Sequence, residues 1–506
     1  MAKQKQRKQK PAQKPAPRQD SRLRAAISFT VVFAFAFLIR VVFLHSNLDR
    51  DWPFSIFYYG DAAHFHEYAV DLIEGRLYDN GIPYHPPLFA WLLSLIYRIQ
   101  GIPTASGYAC KLWLAALNAA TVAMAWAWLR SMLPARWGWI AAGCLTFHFG
   151  WLVFSVTFNN ETLYALLLTA TAAICWRHRN LLSWKAALLL GICMAGGALT
   201  RAEHLGLWPF MMLFLWSCRD RKSSLRDHLL RWGASIAVSM LLILPWAIRN
   251  YRTIGDYNRL TAQLEPISRA ALVTAYGPVN FALANNDSSD GGFRPDLLTQ
   301  IGAQGKINLE DPRQRRYFIH GYAEGRRWIA GHPAGAARLA VRKIDRLLDA
   351  FRLGFGVSNA PAGLTGSRPP VDLFLPDTVL LKWPIVLLLA AGMALSFLPR
   401  YVEYRLCTLI VLHRLMITVL FFGYVRAMVM MLPVLLPLLL LPIVILAERI
   451  PQLRKATEFA FGAATLLLMM QAIAVVSGGP RNYVASGSVD DRGKIIQDDR
   501  VEIKLK

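Results

Sequence analysis

Residues 25–44 read AAISFTVVFAFAFLIRVVFL and carry a single charge, at Arg40. An α-helix needs about 20 predominantly apolar residues to cross the hydrocarbon core of a bilayer, and this stretch has that length. It follows the segment MAKQKQRKQKPAQKPAPRQDSRLR, in which nine residues are basic and only Asp20 is acidic. Because basic segments stay in the cytoplasm, the stretch predicts a retained first transmembrane helix behind a disordered cytoplasmic tail.

The composition of the whole chain agrees with a membrane protein. Of 506 residues, 55% are hydrophobic and 17% are charged, whereas soluble proteins average roughly 25% charged residues. These values exclude intrinsic disorder, collagen and small disulfide scaffolds. A net charge of +24 would indicate nucleic-acid binding in a soluble chain. In a membrane chain it reflects the basic tail and the cytoplasmic loops, so no nucleic-acid partner is predicted.

Ten further apolar runs predict additional membrane helices. Short basic loops separate them, and alternating spans place each such loop in the cytoplasm if Pro87–Ile99 is not a span. That run has 13 residues, too few to cross, so we expect it to lie at the membrane interface. The predicted fold class is an all-α polytopic membrane protein with about 11 transmembrane helices. The ten runs are 108–129, 137–155, 162–176, 184–200, 204–218, 232–248, 378–398, 405–424, 427–447 and 457–476.

The predicted spans divide the chain into five segments. These are a disordered basic cytoplasmic tail (1–24), an N-terminal membrane catalytic module with the first and second outer loops (25–249), a large extracytoplasmic loop (250–377), C-terminal membrane helices (378–476) and a polar C-terminal tail (477–506). The first outer loop, 45–107, is expected to contain interfacial helices. In the large loop, one helical face carries Val341, Ile344, Leu348 and Phe351, which predicts an amphipathic helix on the membrane surface.

Ionisable residues gather where the predicted helices end on the outer side. Such charges are costly near a membrane and usually mark a site or pair with one another. The stretches that carry them are GDAAHFHEYAVDLIEG (60–75), PYHPPL (83–88), FNNETLYALL (158–167), LTRAEHLG (199–206), PWAIRNY (245–251) and the isolated Arg426.

This set of residue types suits group transfer from a phosphate-bearing lipid. The activating phosphate needs cations as a clamp on the leaving group. The basic residues for that role are His85, Arg201, Arg249 and Arg426. The acceptor hydroxyl needs a general base, for which the carboxylates of Asp61 and Glu161 are the candidates.

Structural interpretations of the same residues remain open at this stage. Asp61 and Glu161 both suit the first turn of a helix, where a carboxylate caps backbone amides or complements the helix dipole. Arg201 and Arg249 are alternatively interfacial anchors. His64 and His66 are two residues apart, a spacing unsuited to one helix face. No metal ligands and no cofactor are predicted, and the sequence gives a divalent metal no support.

The order of these motifs resembles that of the polytopic GT-C glycosyltransferases. In particular it resembles family 39 and its relatives, which include protein O-mannosyltransferases and the aminoarabinose transferase that modifies lipid A. The resemblance is best over residues 25–300 and again from Arg426 to about Pro437.

The resemblance implies roles for individual residues. Asp61 matches the first-loop Asp that the family uses as its catalytic residue, and Glu161 matches the acidic residue of the second outer loop. His85 matches a basic residue beside Pro that contacts the donor phosphate. The pair Arg249 and Asn250 matches an R-N that closes a span before the large outer loop.

One departure from the family pattern affects the first-loop motif. Relatives often have Asp-Glu there, whereas in this chain Asp61 is followed by Ala62. Glu67 is therefore a substitute for the second carboxylate. His64 is a further secondary candidate.

The resemblance implies an inverting membrane hexosyl- or pentosyltransferase that uses a polyprenyl-phosphate sugar donor. The expected acceptor is a protein, lipid A or an envelope glycan outside the bacterial cytoplasmic (inner) membrane, with membrane lipid around the protein and the active site facing outward. Two alternatives remain: a transporter or flippase that moves a polyprenyl-linked glycan without chemistry, and a polysaccharide polymerase or ligase.

Overall fold

The computed structural model describes residues 18–45, 61–103, 107–293, 307–351 and 379–450, with scattered positions beyond 450. The described part is almost entirely helical. The α-helices are α1 Arg18–His45, α2 Asp61–Glu74, α3 Leu88–Gln100, α4 Tyr108–Met132, α5 Ala135–Phe147, α6 Phe149–Phe154, α7 Glu161–Arg177, α8 Trp184–Thr200, α9 Trp208–Cys218, α10 Leu225–Leu260, α11 Gly277–Ala284, α12 Pro312–Gly331, α13 Pro333–Leu348, α14 Val379–Ser396, α15 Arg405–Leu420, α16 Val425–Val429 and α17 Leu432–Arg449.

Short elements complete the described structure. The 3-10 turns are Tyr78–Gly81, Ala202–Leu207, Asp349–Phe351 and Pro399–Tyr404, and the antiparallel two-residue strands are β1 Ser488–Val489 and β2 Ile495–Ile496.

The first helix shows why these sequences form a membrane domain. On α1, large apolar side chains such as Val31, Phe35 and Leu38 are exposed, whereas Val32 and Ala36 are buried against neighbouring helices. A helix that exposes one wide apolar face needs lipid as its solvent. The described residues include four helices long and apolar enough to cross a membrane. The protein is therefore a multi-pass membrane protein, and the count of about 11 spans stays a prediction.

The membrane helices pack largely in chain order. α1 lies on α4, α4 on α5 and α7, α7 on α8, and α8 on α10. Small residues allow the close approaches: a side chain on Gly191 of α8 would lie 2.6 Å from the carbonyl oxygen of Ser235 on α10. Close packing of this kind replaces the hydrophobic effect, which does not drive helix association in lipid.

Arg40 is the one charge in the first predicted span, and the structure places it inside the helix bundle. Its side chain is fully buried; Nε donates to Asn118 Oδ1 at 2.7 Å, and two other nitrogens donate to the carbonyl oxygens of Ala36 and Leu145. A buried guanidinium is tolerated in a membrane when such acceptors satisfy its N–H groups.

One difference from the sequence pattern has a local cause. The run 137–155 forms two helices, α5 and α6, because His148 adopts an extended conformation and its side chain accepts a hydrogen bond from the Trp151 amide. α14 and α15 meet at a sharp bend of 116°. In agreement with the prediction, the run Pro87–Ile99 forms the 13-residue helix α3, which is too short to span.

The helix predicted around Val341 exists as α13. Its protein-facing stripe consists of Leu339, Lys343 and Leu347, whereas Val341 is 67% exposed, and contact of the Val341 face with the membrane surface stays a prediction. Lys343 is buried because its ammonium donates to Asn285 Oδ1 at 2.9 Å and to the Val419 carbonyl at 3.0 Å. This helix thereby fixes the large loop to α15.

Candidate active site

Four charged side chains from distant parts of the chain meet in one cluster. Asp61 begins α2, Glu161 begins α7, Arg201 directly follows α8 and Arg426 lies in α16. The sequence named all four as site residues from their common side of the membrane. The structure brings their charged groups into contact. These contacts determine which chemical role each side chain can have.

Asp61 is held by two basic side chains. Its Oδ2 lies 2.6 Å from Nη1 of Arg426, and its Oδ1 lies 3.3 Å from Nε2 of His85. The carboxylate remains 29% exposed, which leaves one edge open. Each carboxylate oxygen has two lone pairs, so Asp61 retains capacity to accept a proton from a third group.

Glu161 lies between the two arginines. Its Oε1 is 3.5 Å from Nη1 of Arg201 and 3.5 Å from Nη1 of Arg426, and the side chain is only 1% exposed. Its second oxygen, Oε2, is buried without a hydrogen-bond partner in the described part of the chain. An unsatisfied buried carboxylate oxygen is costly, and such atoms are concentrated at functional sites.

Both arginines keep N–H groups that the described protein does not use. Arg201 directs Nε to Glu203 and Nη1 to Asn160 and Glu161, while Arg426 contacts Asp61 and Glu161 through Nη1 alone. A guanidinium has five N–H donors. The remaining donors, at Nη2 of Arg201 and at Nε and Nη2 of Arg426, suit an incoming phosphate.

A second carboxylate, that of Glu203, holds the guanidinium of Arg201 in place. Oε1 of Glu203 lies 2.7 Å from Nε of Arg201 and 3.0 Å from Nη2 of Arg414, which is buried on α15. Arg414 was not among the predicted site residues. The available signal was an arginine in the middle of the apolar run 405–424, since such residues usually pair within the bundle.

We expect replacement of Arg414 by methionine to weaken the positioning of Arg201. Glu203 would keep a single partner, and we expect donor KM to rise about tenfold, which corresponds to roughly 1.4 kcal/mol. Donor titrations of turnover measure this. Lysine at 414 should restore most of the loss, whereas Arg405→Met on the same helix should have no effect. An unchanged donor KM in Arg414→Met would contradict the assignment.

His85 is oriented by two buried tyrosines. The Tyr68 hydroxyl lies 3.4 Å from Nδ1 of His85, and the Tyr78 hydroxyl donates to the His85 carbonyl at 3.1 Å. With Nδ1 and Nε2 both engaged, the imidazole has a fixed orientation against Asp61. A histidine held in this way positions the carboxylate beside it.

The electrostatics of the cluster favour charged carboxylates. Burial alone would raise the pKa of Asp61, but the charge of Arg426 and the hydrogen bond from His85 outweigh it and hold the pKa well below its usual range. Burial is similarly outweighed at Glu203, where Arg201 and Arg414 lower the pKa. Both carboxylates are therefore ionised at neutral pH.

Arg249 and Asn250 lie apart from this cluster. Arg249 donates to the carbonyl oxygens of Tyr78 at 2.7 Å and Gly81 at 3.3 Å, and Asn250 donates to the Ala271 carbonyl at 3.0 Å. These contacts tie the turn that precedes His85 to α10. The predicted role of Arg249 on the donor phosphate stays a prediction.

Two secondary candidates, His64 and Glu67, lie on α2. The His64 ring lies 5.7 Å from the ring of His85, and Glu67 is partly exposed in the second turn of α2. Among the described residues, no group of three or more His, Cys, Asp or Glu side chains is arranged to hold a metal ion.

Aromatic side chains border the carboxylate. The Tyr84 ring lies 4.3 Å from the His85 ring, and the Arg426 guanidinium lies 5.3 Å from the Tyr424 ring. Both tyrosines are partly exposed. Aromatic walls with a few placed polar groups are the usual lining of a small-molecule site.

Part of the chain matches the model of a known family. Residues 84–248 match the family described as dolichyl-phosphate-mannose-protein mannosyltransferase. The matched region contains His85, Glu161 and Arg201. No curated protein sequence matches the chain.

Comparison with solved structures found matches at low sequence identity. The oligosaccharyltransferase of Archaeoglobus fulgidus, in complex with Zn and sulfate, is 14% identical with a TM-score of 0.50, covering 87% of this chain and 53% of that chain. The same protein tethered with an acceptor peptide containing the NVT sequon is 13% identical with a TM-score of 0.50, covering 89% and 55%. ArnT from Cupriavidus metallidurans bound to undecaprenyl phosphate is 16% identical with a TM-score of 0.35, covering 82% and 77%.

The chain spans about half the length of the oligosaccharyltransferase. That likeness shows a shared membrane fold, and residues 84–248 match the mannosyltransferase family model. Both findings agree with the resemblance predicted from the order of the motifs. The chain is similar to the oligosaccharyltransferase in fold and, over residues 84–248, to the mannosyltransferase family in sequence.

Proposed function

We propose that this protein transfers a sugar from a polyprenyl-phosphate donor to an acceptor outside the bacterial cytoplasmic membrane. The observation that carries the proposal is the pair Arg201 and Arg426, each anchored to Glu161 and each with unused N–H groups, beside the partly open carboxylate of Asp61. A phosphate clamp next to a general base is what this reaction requires. Residues 84–248 match a family whose description names a sugar donor linked to a lipid phosphate. This match supports the same assignment.

The proposed reaction is one inverting displacement. The acceptor oxygen attacks the anomeric carbon as the bond from that carbon to the phosphate oxygen breaks. The bonding electrons leave with the lipid phosphate, and the acceptor proton passes to Asp61. A loose, oxocarbenium-like transition state needs little activation of the nucleophile, so a weakly basic carboxylate suffices.

Each neighbouring side chain has a distinct part in this step. Arg201 and Arg426 stabilise the charge that develops on the departing phosphate. Their Nη1 atoms both lie 3.5 Å from one oxygen of Glu161, so the two cations are held within about 7 Å of each other. His85 keeps the Asp61 carboxylate turned toward the acceptor. Protein, lipid A and envelope glycan remain the candidate acceptors.

We expect the acidic limb of the pH–rate profile to lie below about pH 4. An unperturbed Asp titrates near pH 3.9, and Arg426 and His85 hold the pKa of Asp61 lower than that. The base is therefore ionised above pH 4 and is lost only as the pH falls through its depressed pKa. Profiles of kcat/KM measure the limb. An acidic limb near pH 6 would contradict Asp61 as the base and favour His85.

A panel of radiolabelled polyprenyl-phosphate sugars tests the proposed function. Purified protein in detergent is given each donor with cell-envelope fractions, and free polyprenyl phosphate and labelled acceptor are measured together. Formation of both from one donor supports the proposal and names the sugar. A donor that binds tightly without releasing polyprenyl phosphate would instead favour a transporter. Transfer of a preassembled glycan chain that is unaffected by Asp61→Asn would favour a polymerase or ligase.

A further inference from the structure

The last part of α10 projects beyond the membrane. α10 has 36 residues and is about 54 Å long, whereas the hydrocarbon core is about 30 Å thick. Its apolar run ends near Ile248, so Arg252 lies about 6 Å further along the helix axis. The headgroup layer of a bilayer lies at this depth.

A cavity of about 350 Å³ opens on this part of the helix, and we call it the arginine pocket. Its lining residues are Arg252, Gly255, Asp256, Arg259 and Arg269. The α10 residues follow one another at helical spacing, so they form a single stripe. Arg269 reaches the stripe from the following loop, and a side chain on Gly255 would lie 2.8 Å from its Nη2. Because Gly255 has no side chain, the Arg269 guanidinium can approach the α10 backbone and form one wall of the pocket.

The charges in the arginine pocket are unbalanced. Asp256 pairs with Arg259. Arg269 stacks on the Tyr251 ring at 3.7 Å and donates from Nε to the Tyr251 carbonyl, neither of which is an anion. Arg252 has no hydrogen bond or ion pair within the described residues. Three cations and one carboxylate leave a net charge of +2 around an open cavity.

We propose that the arginine pocket binds a phosphate group, namely that of an anionic lipid headgroup at the membrane surface. Guanidinium groups match phosphate through paired N–H donors. Basic pockets at this depth bind lipid headgroups through such contacts. This site is separate from the Arg201 and Arg426 pair, and it does not depend on the proposed transfer reaction.

Lipid binding by the full-length protein in detergent tests the proposal. Native mass spectrometry is used to titrate phosphatidylglycerol, with phosphatidylcholine as the reference lipid. We expect preferential binding of phosphatidylglycerol, and we expect the double variant Arg252→Gln/Arg269→Gln to weaken it at least tenfold. Arg326→Gln is the matched control, since Arg326 is an exposed arginine on α12, outside the pocket, and donates to the Tyr322 carbonyl.

A second variant separates pocket occupancy from loss of charge. Gly255→Leu keeps all three arginine charges, but its side chain would displace the Arg269 guanidinium, which lies 2.8 Å from the position of the new Cβ; it should therefore also weaken binding of phosphatidylglycerol. Competition by millimolar inorganic phosphate identifies the source of the phosphate: no displacement supports the lipid, and full displacement supports a site for free phosphate instead of lipid. Wild-type affinity in both the double variant and Gly255→Leu would overturn the proposal. Size-exclusion profiles establish that each variant is folded.

Discussion

Replacing Asp61 with asparagine is expected to lower turnover about 10²- to 10⁴-fold, the usual contribution of a positioned general base. The amide keeps the shape of the carboxylate and can still accept a hydrogen bond from His85, but it cannot take the acceptor proton. Donor binding should change little, because Arg201 and Arg426 keep their contacts with Glu161. Single-turnover rates and donor affinity, measured separately, distinguish these two effects.

Asp71→Asn is the matched control for Asp61→Asn. Asp71 lies on the same helix and is also ion-paired, with Arg76 at 2.8 Å. Its loss should leave the single-turnover rate within about twofold of wild type, since Asp71 pairs with Arg76, outside the charged cluster around Asp61. Wild-type activity in Asp61→Asn, or an equal loss in both variants, would remove Asp61 from the mechanism.

Replacing Arg426 with glutamine is expected to affect both stability and activity. Arg426 is the cation shared by Asp61 and Glu161. Removal of one partner from a buried ion pair costs about 3–5 kcal/mol. Because Arg426 is 22% exposed and Asp61 is 29% exposed, we expect a smaller loss, about 2–3 kcal/mol. Turnover should fall about 10²- to 10³-fold, as for loss of one donor to a developing negative charge.

The double variant Asp61→Asn/Arg426→Gln separates the two effects of Arg426. Removing both charges restores electrical balance, so the thermal midpoint of the detergent-solubilised protein should recover toward wild type. Turnover should stay at the level of the more damaged single variant. Recovery of turnover together with stability would mean that the pair is structural and takes no part in the reaction.

The sequence predicts the site residues because charge near a membrane is informative. Asp61, Glu161, Arg201 and Arg426 stand out as ionisable residues at the ends of apolar runs, and sidedness places them together. The sequence does not predict which carboxylate oxygen contacts which arginine. Glu203 and Arg414 are 211 positions apart, and their contact depends on how α15 packs beside the turn after α8.

Other features of the fold depend on local chemistry that apolar periodicity does not capture. The run 137–155 is uniformly apolar enough for one helix, yet the extended backbone at His148 ends α5 and begins α6. On α13, apolar periodicity does not predict that Lys343 packs against the protein. Its ammonium is buried on Asn285 and the Val419 carbonyl, so the protein-facing stripe of this helix includes a charged residue.

The most direct test of the account compares two products in one reaction. Free polyprenyl phosphate and transferred sugar are quantified over the same time course, in wild type and in Asp61→Asn. The account predicts that wild type forms the two products in a one-to-one ratio, and that both are lost together in Asp61→Asn while donor binding persists. Undiminished formation of both products by Asp61→Asn would contradict it.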